Sequence, residues 1–247
     1  MTSSFLRMIP ALLIVIFLAA GCGLSRQQSY QREFFLLDVA SVPPGSRNHD
    51  DIPFPEVILL IQPVGMAAAF DRKEFVYRTG QYSYETDYYR AFQVPPAILI
   101  GEQSYEWLVS KHLFGQTVRP GSLVRPNFAL YGFVNEFYGD YSNPASHAAV
   151  ISVTYRVLGR SKKIFSNLRM EKTYTQRIPL ADREVGTLVA AWNRALRNIL
   201  TELTADLRKV DFSIRTPEAA HSPSAQKTGD SPQTGNPAPA TNPVANP

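Results

Sequence analysis

Cysteine is almost absent from this sequence, since Cys22 is the only one among 247 residues. A single cysteine cannot form a disulfide within the chain, so we expect the fold to be held together by its hydrophobic core alone. It also leaves no thiol elsewhere in the chain to act as a catalytic nucleophile.

Sequence patterns of metal and catalytic sites are missing as well. The histidines are scattered, and no pair has the spacing of a metal-binding helix or loop: His49, His112, His147 and His221. One cluster with ligand chemistry, His49-Asp50-Asp51, lies in a turn-rich loop where solvated side chains are the expected interpretation. Neither a G-x-S-x-G motif nor a glycine-rich loop ending in Gly-Lys-Ser or Gly-Lys-Thr occurs. We therefore expect no metal, no cofactor and no enzymatic activity; Glu85, Asp87 and Asp140 would serve as acids or bases only if the fold brought them together.

No large excess of one charge is present either. The chain has 25 Lys and Arg against 21 Asp and Glu, for a net charge of +4, and these residues are dispersed. This balance gives no electrostatic basis for nucleic-acid binding. Hydrophobic residues make up 45% of the chain and aromatic residues 11%, which is enough for one packed domain.

An apolar run near the N-terminus has the length of a signal-peptide core. Residues 8–20 follow Arg7 and are too few to make a comfortable membrane span. The run ends in Leu18-Ala19-Ala20-Gly21-Cys22, which resembles the lipobox of bacterial lipoprotein signal peptides, with Ala19 where leucine is usual. The resemblance implies that residues 1–21 are a lipoprotein signal peptide and that the Cys22 thiol carries lipid. The alternatives are an ordinary signal peptide followed by an unmodified Cys22, or an uncleaved anchor.

Lipid on Cys22 would hold the protein at a membrane. Burying acyl chains yields about 0.8 kcal/mol per CH₂, and more than one chain gives durable anchoring. In the Gram-negative lipoproteins that this segment resembles, an aspartate directly after the cysteine commonly signals retention in the inner membrane, and that position is Gly23 here. The resemblance therefore implies a location in the outer membrane, with the protein on the periplasmic face.

Composition divides the rest of the chain into three parts. Residues 22–32 are polar and are expected to tether the folded part to the lipid, and residues 33–212 have the composition of a folded domain. Residues 213–247 form the third part. From Thr216 onward its composition is dominated by Pro, Ala, Ser, Thr and Asn, and no aromatic residue occurs. Such a segment cannot bury enough apolar surface to offset its ordering entropy, so we expect a disordered tail. It would be either a spacer that crosses part of the periplasm or a dispensable terminus.

The apolar pattern predicts several strands. Apolar runs at residues 33–39 and 57–61 are expected to form the middle of the sheet. Glycine in Thr79-Gly80 predicts a hairpin turn. Three consecutive antiparallel strands are predicted at residues 128–138, 147–158 and 164–176. In the last two, alternation predicts one buried face, made by Ile151, Val153, Tyr155, Val157, Leu168, Met170 and Tyr174, and one solvated face, made by Ser152, Thr154, Arg156, Arg169, Glu171 and Thr175.

Two long helices are also predicted. One spans residues 96–113, opening at Pro95-Pro96 and capped by Gly115. The other is capped by Asp182 and ends near Val210. Its apolar stripe predicts that it packs on the sheet: Val185, Leu188, Trp192, Leu196, Ile199, Leu203 and Leu207. The predicted fold is therefore α+β, a mainly antiparallel sheet with two principal helices packed on it in a single domain.

Aromatic residues are dense between residues 77 and 92. This stretch holds Tyr77, Tyr82, Tyr84, Tyr88, Tyr89 and Phe92. Tyrosine pairs a large apolar ring with a hydroxyl that can stay in water, which suits protein interfaces and bilayer surfaces. We predict a partner interface at Tyr82, Tyr84, Tyr88 and Tyr89; the alternative is that these rings cover the edge of the domain's own core.

Over residues 33–209 the chain resembles the auxiliary lipoproteins of ABC-type transport systems that work with MCE-domain proteins, the PqiC-like group. The resemblance follows the order of short motifs along the chain: Phe34-Phe35-Leu36-Leu37, Phe75-Val76-Tyr77-Arg78, Tyr84-Glu85-Thr86-Asp87-Tyr88-Tyr89, Trp107-Leu108, Leu130-Tyr131-Gly132 and Tyr138-Gly139-Asp140. The long final helix and the lipobox also stand where they do in members of this group.

The resemblance implies a non-catalytic component at the outer membrane that docks an MCE-domain protein and helps move phospholipid or another hydrophobic substrate between membranes. Its partners would be the MCE-domain protein with its permease and ATPase, the membrane through the lipid anchor, and other copies of the chain in a homo-oligomer. Two other functions stay open. One is a scaffold or assembly lipoprotein for an outer-membrane barrel or a cell-wall complex, and the other is a lipoprotein that binds lipid in a pocket of its own.

Overall fold

The computed structural model describes residues 31–39, 52–161 and 164–213. Several predicted features lie outside these residues: the signal peptide, Cys22, residues 22–30 of the tether, His49-Asp50-Asp51, His221 and the tail from residue 214 onward. Within the described residues, nine strands form one mixed sheet on which two helices pack. The predicted α+β class with two principal helices is confirmed.

The elements follow one another along the chain with short connections. The strands are β1 (Glu33–Phe35), β2 (Phe54–Ile61), β3 (Gly65–Met66), β4 (Glu74–Arg78), β5 (Tyr84–Phe92), β6 (Phe114–Val118), β7 (Phe128–Asp140), β8 (Ala148–Ser161) and β9 (Ile164–Pro179). The helices are α1 (Pro96–Lys111), between β5 and β6, and α2 (Val185–Leu207), after β9.

Strand β7 organises the sheet because it pairs along both of its sides. On one side it runs antiparallel to β8, which in turn runs antiparallel to β9. On the other side it pairs in parallel with β2, β3 and β4 in succession. Strand β2 continues to β6, and β4 continues to β5 and β1. Consequently β2 and β6 lie at the N-terminal end of β7, while β4, β5 and β1 lie at its C-terminal end.

The prediction that the run at residues 33–39 forms the middle of the sheet is wrong. Strand β1 covers only Glu33–Phe35 and pairs only with β5, at the edge of the sheet. Phe34 and Leu36 are exposed, while Leu37 and Val39 are buried. A run that is apolar on both faces does not reveal which side is covered, so the edge position could not be seen in it. The run at residues 57–61 does lie inside the sheet, between β7 and β6.

Helix α2 packs its apolar stripe on β8 and β9 as predicted. Trp192 is fully buried, and its ring centroid lies 5.0 Å from that of Phe75 and 4.8 Å from that of Phe137. The helix begins at Val185 with Glu184 at its N-cap position and no side-chain cap, so the predicted cap at Asp182 is wrong. The Asp182 carboxylate accepts a hydrogen bond from the Glu184 N–H at 2.9 Å and thus bonds in the turn before the helix. The aromatic cluster around Trp192 therefore joins the helix to β4 and to the C-terminal part of β7.

Helix α1 begins at Pro96 as predicted but ends differently. It terminates at His112, which adopts the left-handed conformation with φ 48°, and Gly115 does not cap it. Gly115 lies instead in β6, where an added Cβ would overlap the carbonyl oxygen of Pro55. The glycine is therefore needed for the close approach of β6 to β2.

Strands β8 and β9 differ from simple alternation. Ser152 and Thr154, predicted as solvated, are buried and bond across the ladder to Thr175 (2.9 Å) and Thr173 (2.8 Å). Leu168, predicted as buried, is exposed. The exposure of Leu168 follows from an irregularity in the pairing between Val157 and Leu158, which adds a residue to β9 and reverses its inward face from that point towards Ile164.

Candidate interaction surface

The predicted hairpin at residues 79–83 is confirmed and presents two of the four predicted interface tyrosines. Strands β4 and β5 pair from Arg78 opposite Tyr84 to Glu74 opposite Ala91. The turn is closed by the Thr79 N–H, which donates to the Ser83 carbonyl at 2.9 Å. Tyr82 lies at the tip and is 86% exposed, with its hydroxyl accepting a hydrogen bond from the Gln81 side chain. Its ring is free to meet a partner.

Tyr84 has features of both a surface residue and a residue that covers the edge of the core. One side of its ring meets Phe70 and Tyr138 edge-on, with centroid distances of 6.0 and 5.6 Å. Phe70 and Tyr138 are stacked on each other beneath it. The rest of the Tyr84 side chain is exposed. It therefore covers the edge of the core and also contributes to the surface.

Tyr88 and Tyr89 lie where the pairing of β5 with β4 is interrupted. The Asp87 carboxylate accepts hydrogen bonds from the N–H groups of Tyr89 (2.8 Å) and Arg90 (3.0 Å), which fixes the local turn of the backbone. The two rings meet edge-on at 5.1 Å, and both are exposed. The bulge thus places two adjacent tyrosines at the surface, which a regular strand would send to opposite faces.

Arg32 attaches the start of the described chain to this same strand. Its Nε donates to the Tyr88 carbonyl at 3.0 Å, and its Nη2 donates to the Glu74 carboxylate at 2.9 Å. The guanidinium also lies 5.7 Å from the centroid of the Tyr88 ring. The last residue of the predicted tether is therefore held beside Tyr88.

A polar network lies next to these tyrosines. The Tyr77 hydroxyl donates to Asp87 at 2.7 Å, and Arg90 lies 3.7 Å from Asp87 and 3.8 Å from Glu33. Burial, together with the Asp87 carboxylate, raises the pKa of Tyr77. Asp87 is thus occupied in holding the bulge and the two strands together.

Asp140 is tied to structural partners in the same way. It is 2% exposed and accepts hydrogen bonds from the Ser142 N–H (3.0 Å), the Ser142 hydroxyl (2.6 Å) and Arg177 (2.6 Å), with Arg78 at 3.7 Å. Burial alone would raise the pKa of Asp140, but the hydrogen bonds from Ser142 and Arg177 outweigh it and lower the pKa. This carboxylate fastens the end of β7 to β4 and β9.

Two open clefts flank the sheet. One, of about 350 Å³, lies between the β4–β5 hairpin and the start of α2, where Tyr77, Glu85, Arg90, Tyr141, Arg183 and Leu188 line it. The other, of about 170 Å³, lies between α1 and the ends of β2 and β6, where Ile61, Val64, Ile98, Gly101 and Tyr105 line it. The first mixes cationic, anionic and apolar groups, and the second is largely apolar.

The remaining sequence candidates are not brought together. His112 ends α1, while His147 lies 3.1 Å from the Arg183 guanidinium and stacks near Tyr141. Among residues 31–39, 52–161 and 164–213, no three His, Cys, Asp or Glu side chains are grouped so that they could hold a metal ion. Nor is any helix in that part of the chain long and apolar enough to cross a bilayer.

Sequence reasoning missed several exposed apolar residues. Phe34 and Leu36 flank the tyrosines, and Leu123 and Ile164 lie at the far end of β7, in the β6–β7 loop and at the start of β9. Nothing in the sequence distinguishes them from core residues, because each belongs to an apolar pair or run.

Comparison with known proteins shows the fold. No protein-family model matches the chain, and no curated protein matches it. A protein from Xanthomonas campestris described as belonging to family DUF330 is 18% identical, with a TM-score of 0.58 over 72% of this chain and 95% of that one. An uncharacterized protein is 13% identical, with a TM-score of 0.55 over 72% of this chain and 99% of that one. Lipoprotein GNA1162 from Neisseria meningitidis matches at a TM-score of 0.32, with 12% identity over 59% of this chain and 99% of that one, too low to support an argument.

Proposed function

We propose that this protein is a lipid-anchored, non-catalytic auxiliary subunit of an ABC-type intermembrane transport system that works with an MCE-domain protein. The observation that carries the proposal is the fold shared with the DUF330 protein over nearly that protein's whole length. The PqiC-like lipoproteins are the DUF330 family, and the order of motifs in this sequence resembles the same group. The shared fold and the sequence resemblance therefore support the same proposal.

The inference of a lipid anchor is based on the segment that ends at Cys22. Arg32 is the tenth residue after Cys22, and an extended chain covers about 3.3–3.6 Å per residue. Arg32 therefore lies no more than about 35 Å from the lipid-bearing residue. Confinement of this kind raises the effective concentration of the domain at any partner that reaches the same membrane, so weak docking suffices.

A non-catalytic role is supported by what the candidate acids do. Asp87 holds the β5 bulge through two backbone N–H groups and the Tyr77 hydroxyl, and Asp140 holds Ser142 and Arg177. Both carboxylates are occupied by structural hydrogen bonds. The exposed rings along β5 have instead the character of a contact surface, where tyrosine is enriched.

The proposal is tested by isolating the partners. The full-length protein is tagged in its own host, intact cells are crosslinked, and the captured proteins are identified by mass spectrometry. We expect an MCE-domain protein with its permease and ATPase. Capture of only an outer-membrane barrel or a cell-wall enzyme would replace this proposal with the scaffold function. An equally tagged Cys22→Ala protein behind an ordinary cleavable signal peptide is the control, because it identifies the partners whose capture depends on the anchor.

A further inference from the structure

We propose that the sheet edge formed by β1 and the β5 bulge lies against the lipid bilayer. We call this surface, made of Phe34, Leu36, Tyr88 and Tyr89, the aromatic edge. The inference rests on the proposed function in one respect, the lipid on Cys22. It differs from the proposed function in that Tyr88 and Tyr89 contact lipid rather than a protein partner.

The aromatic edge exposes large apolar side chains on two adjacent strands. Phe34 is 54% exposed, Leu36 57%, Tyr88 74% and Tyr89 42%. The strands are in register, with Phe34 opposite Ala91, two residues beyond Tyr89. Tyrosine rings prefer the boundary between headgroups and acyl chains, and Phe and Leu gain free energy by entering it. The residue types therefore match a bilayer surface.

The tether decides which end of the molecule is kept near the membrane. Arg32 is fixed to Tyr88 and Glu74 by two hydrogen bonds. Cys22 lies ten residues before it, within about 35 Å. The exposed apolar residues Leu123 and Ile164 lie at the other end of β7, a 13-residue strand about 43 Å long at 3.3 Å per residue. Of these two exposed apolar surfaces, the aromatic edge is the one beside the point where the tether joins the domain.

Charge at the aromatic edge is largely paired. Arg32 binds Glu74 at 2.9 Å, and Arg90 lies within 4 Å of both Asp87 and Glu33. With its arginines matched by carboxylates, this surface has no net attraction for anionic headgroups. We therefore expect contact through the rings, of similar extent on zwitterionic and on anionic lipid.

The backbone of this edge is poorly suited to pairing with another strand. Within the described residues, β1 covers β5 only at residues 90–92. At Tyr88 the carbonyl that a new strand would use already accepts a hydrogen bond from Arg32. A charged side chain over an edge carbonyl is a common way to block edge-to-edge pairing. We therefore expect this surface to make its contacts through side chains rather than by backbone pairing with another strand.

The test places a tryptophan at each end of the molecule. Full-length protein carrying Tyr88→Trp, and separately the control Leu123→Trp, is purified with its lipid from host membranes. Each is reconstituted into phosphatidylethanolamine/phosphatidylglycerol vesicles with brominated acyl chains, and into pure phosphatidylcholine vesicles with the same quencher. The parent protein gives the background from Trp107 and Trp192, both buried. Phe34→Trp is a second reporter in case Tyr88→Trp disturbs the bulge.

We expect blue-shifted and quenched emission from the tryptophan at position 88 or 34, equal in both vesicle types, and unquenched emission from position 123. Quenching at position 123 alone, or equally at both ends, would overturn the inference. Intact-mass measurement on the same samples separates the two proposals. Protein without lipid on Cys22 would remove the basis of both, whereas lipidated protein with an unquenched aromatic edge would overturn this inference and leave the proposed function standing.

Discussion

At the scale of single residues, Asp140 shows how a buried charge is tolerated. Its carboxylate is surrounded by Ser142 and Arg177, with Arg78 close by, so the free-energy cost of burial is offset by charge-assisted hydrogen bonds. The carboxylate sits where β7 ends beside β4, directly before the loop to β8.

We predict that Asp140→Ala lowers the free energy of unfolding by about 1–3 kcal/mol, because the buried Ser142 contacts lose their acceptor. Urea denaturation measures the change. The matched control is Glu171→Ala, which removes the exposed ion pair with Arg156 and should have a much smaller effect. Equal losses in the two variants would show that the Asp140 network does not stabilise the fold.

Asp206 makes the stability of the domain depend on acid. Hydrogen bonds from Lys172 and Lys209, and from the Tyr174 hydroxyl, lower the pKa of Asp206 from 3.8 to about 2. A carboxylate whose pKa is lower in the folded state stabilises the fold above its unfolded pKa, and the contribution disappears as the pH falls towards the folded pKa.

We therefore expect stability to decline between about pH 4 and pH 2, and Asp206→Asn to reduce that decline. Thermal unfolding followed across this pH range is the measurement. If the thermal stability of Asp206→Asn fell with pH as steeply as that of the parent, other carboxylates would be the cause of the acid sensitivity.

At the scale of secondary-structure elements, the contact between β2 and β6 depends on Gly115. The carbonyl of Pro55 occupies the space where a Cβ would lie, so the two strands approach more closely than any other residue would allow. Strand β6 was not predicted, because its short sequence, Phe114–Val118, follows directly on α1 and has little apolar alternation.

We predict that Gly115→Ala destabilises the domain by about 1–3 kcal/mol, the usual cost of forcing extra atoms into a packed position. Gly186→Ala is the control, since a Cβ at that helical position meets no atom within 4 Å. It should be neutral or stabilising by up to about 1 kcal/mol. Denaturation midpoints of both variants provide the comparison, and a well-tolerated Gly115→Ala would contradict the close approach.

At the scale of the whole molecule, the sequence predicts some features far better than others. The stripe from Leu188 to Leu207 identified α2 correctly, because a helix of 23 residues repeats its pattern many times. The exposure of Leu168 could not be predicted, because an irregularity in the pairing of β9 reverses its inward face. The burial of Ser152 could not be predicted either, because its hydroxyl bonds to Thr175, 23 residues away on the neighbouring strand. The edge position of β1 was likewise hidden in an apolar run.

The tyrosine stretch illustrates the same limit for the candidate surface. The density of tyrosines predicted a partner interface at Tyr82, Tyr84, Tyr88 and Tyr89, with coverage of the core edge as the alternative. The structure exposes all four rings, and the partner interface stays a prediction. Their link to the tether could not be read from the sequence, because the bonds from Arg32 to Tyr88 and Glu74 span 56 and 42 residues. Contacts of this kind depend on the pairing of β1 with β5, which joins residues far apart in the sequence.

We propose that this domain acts at a membrane to which lipid on Cys22 holds it, and complementation of a deletion strain tests this proposal. A strain lacking the protein is supplied with the wild-type chain, or with Cys22→Ala behind an ordinary cleavable signal peptide, at matched periplasmic levels. The proposed role in lipid transport predicts that loss of the protein weakens the outer-membrane barrier and makes the strain sensitive to detergent. We predict that the unacylated domain folds normally but leaves the strain sensitive, whereas the wild-type chain restores resistance. Full restoration by the soluble form would contradict the account.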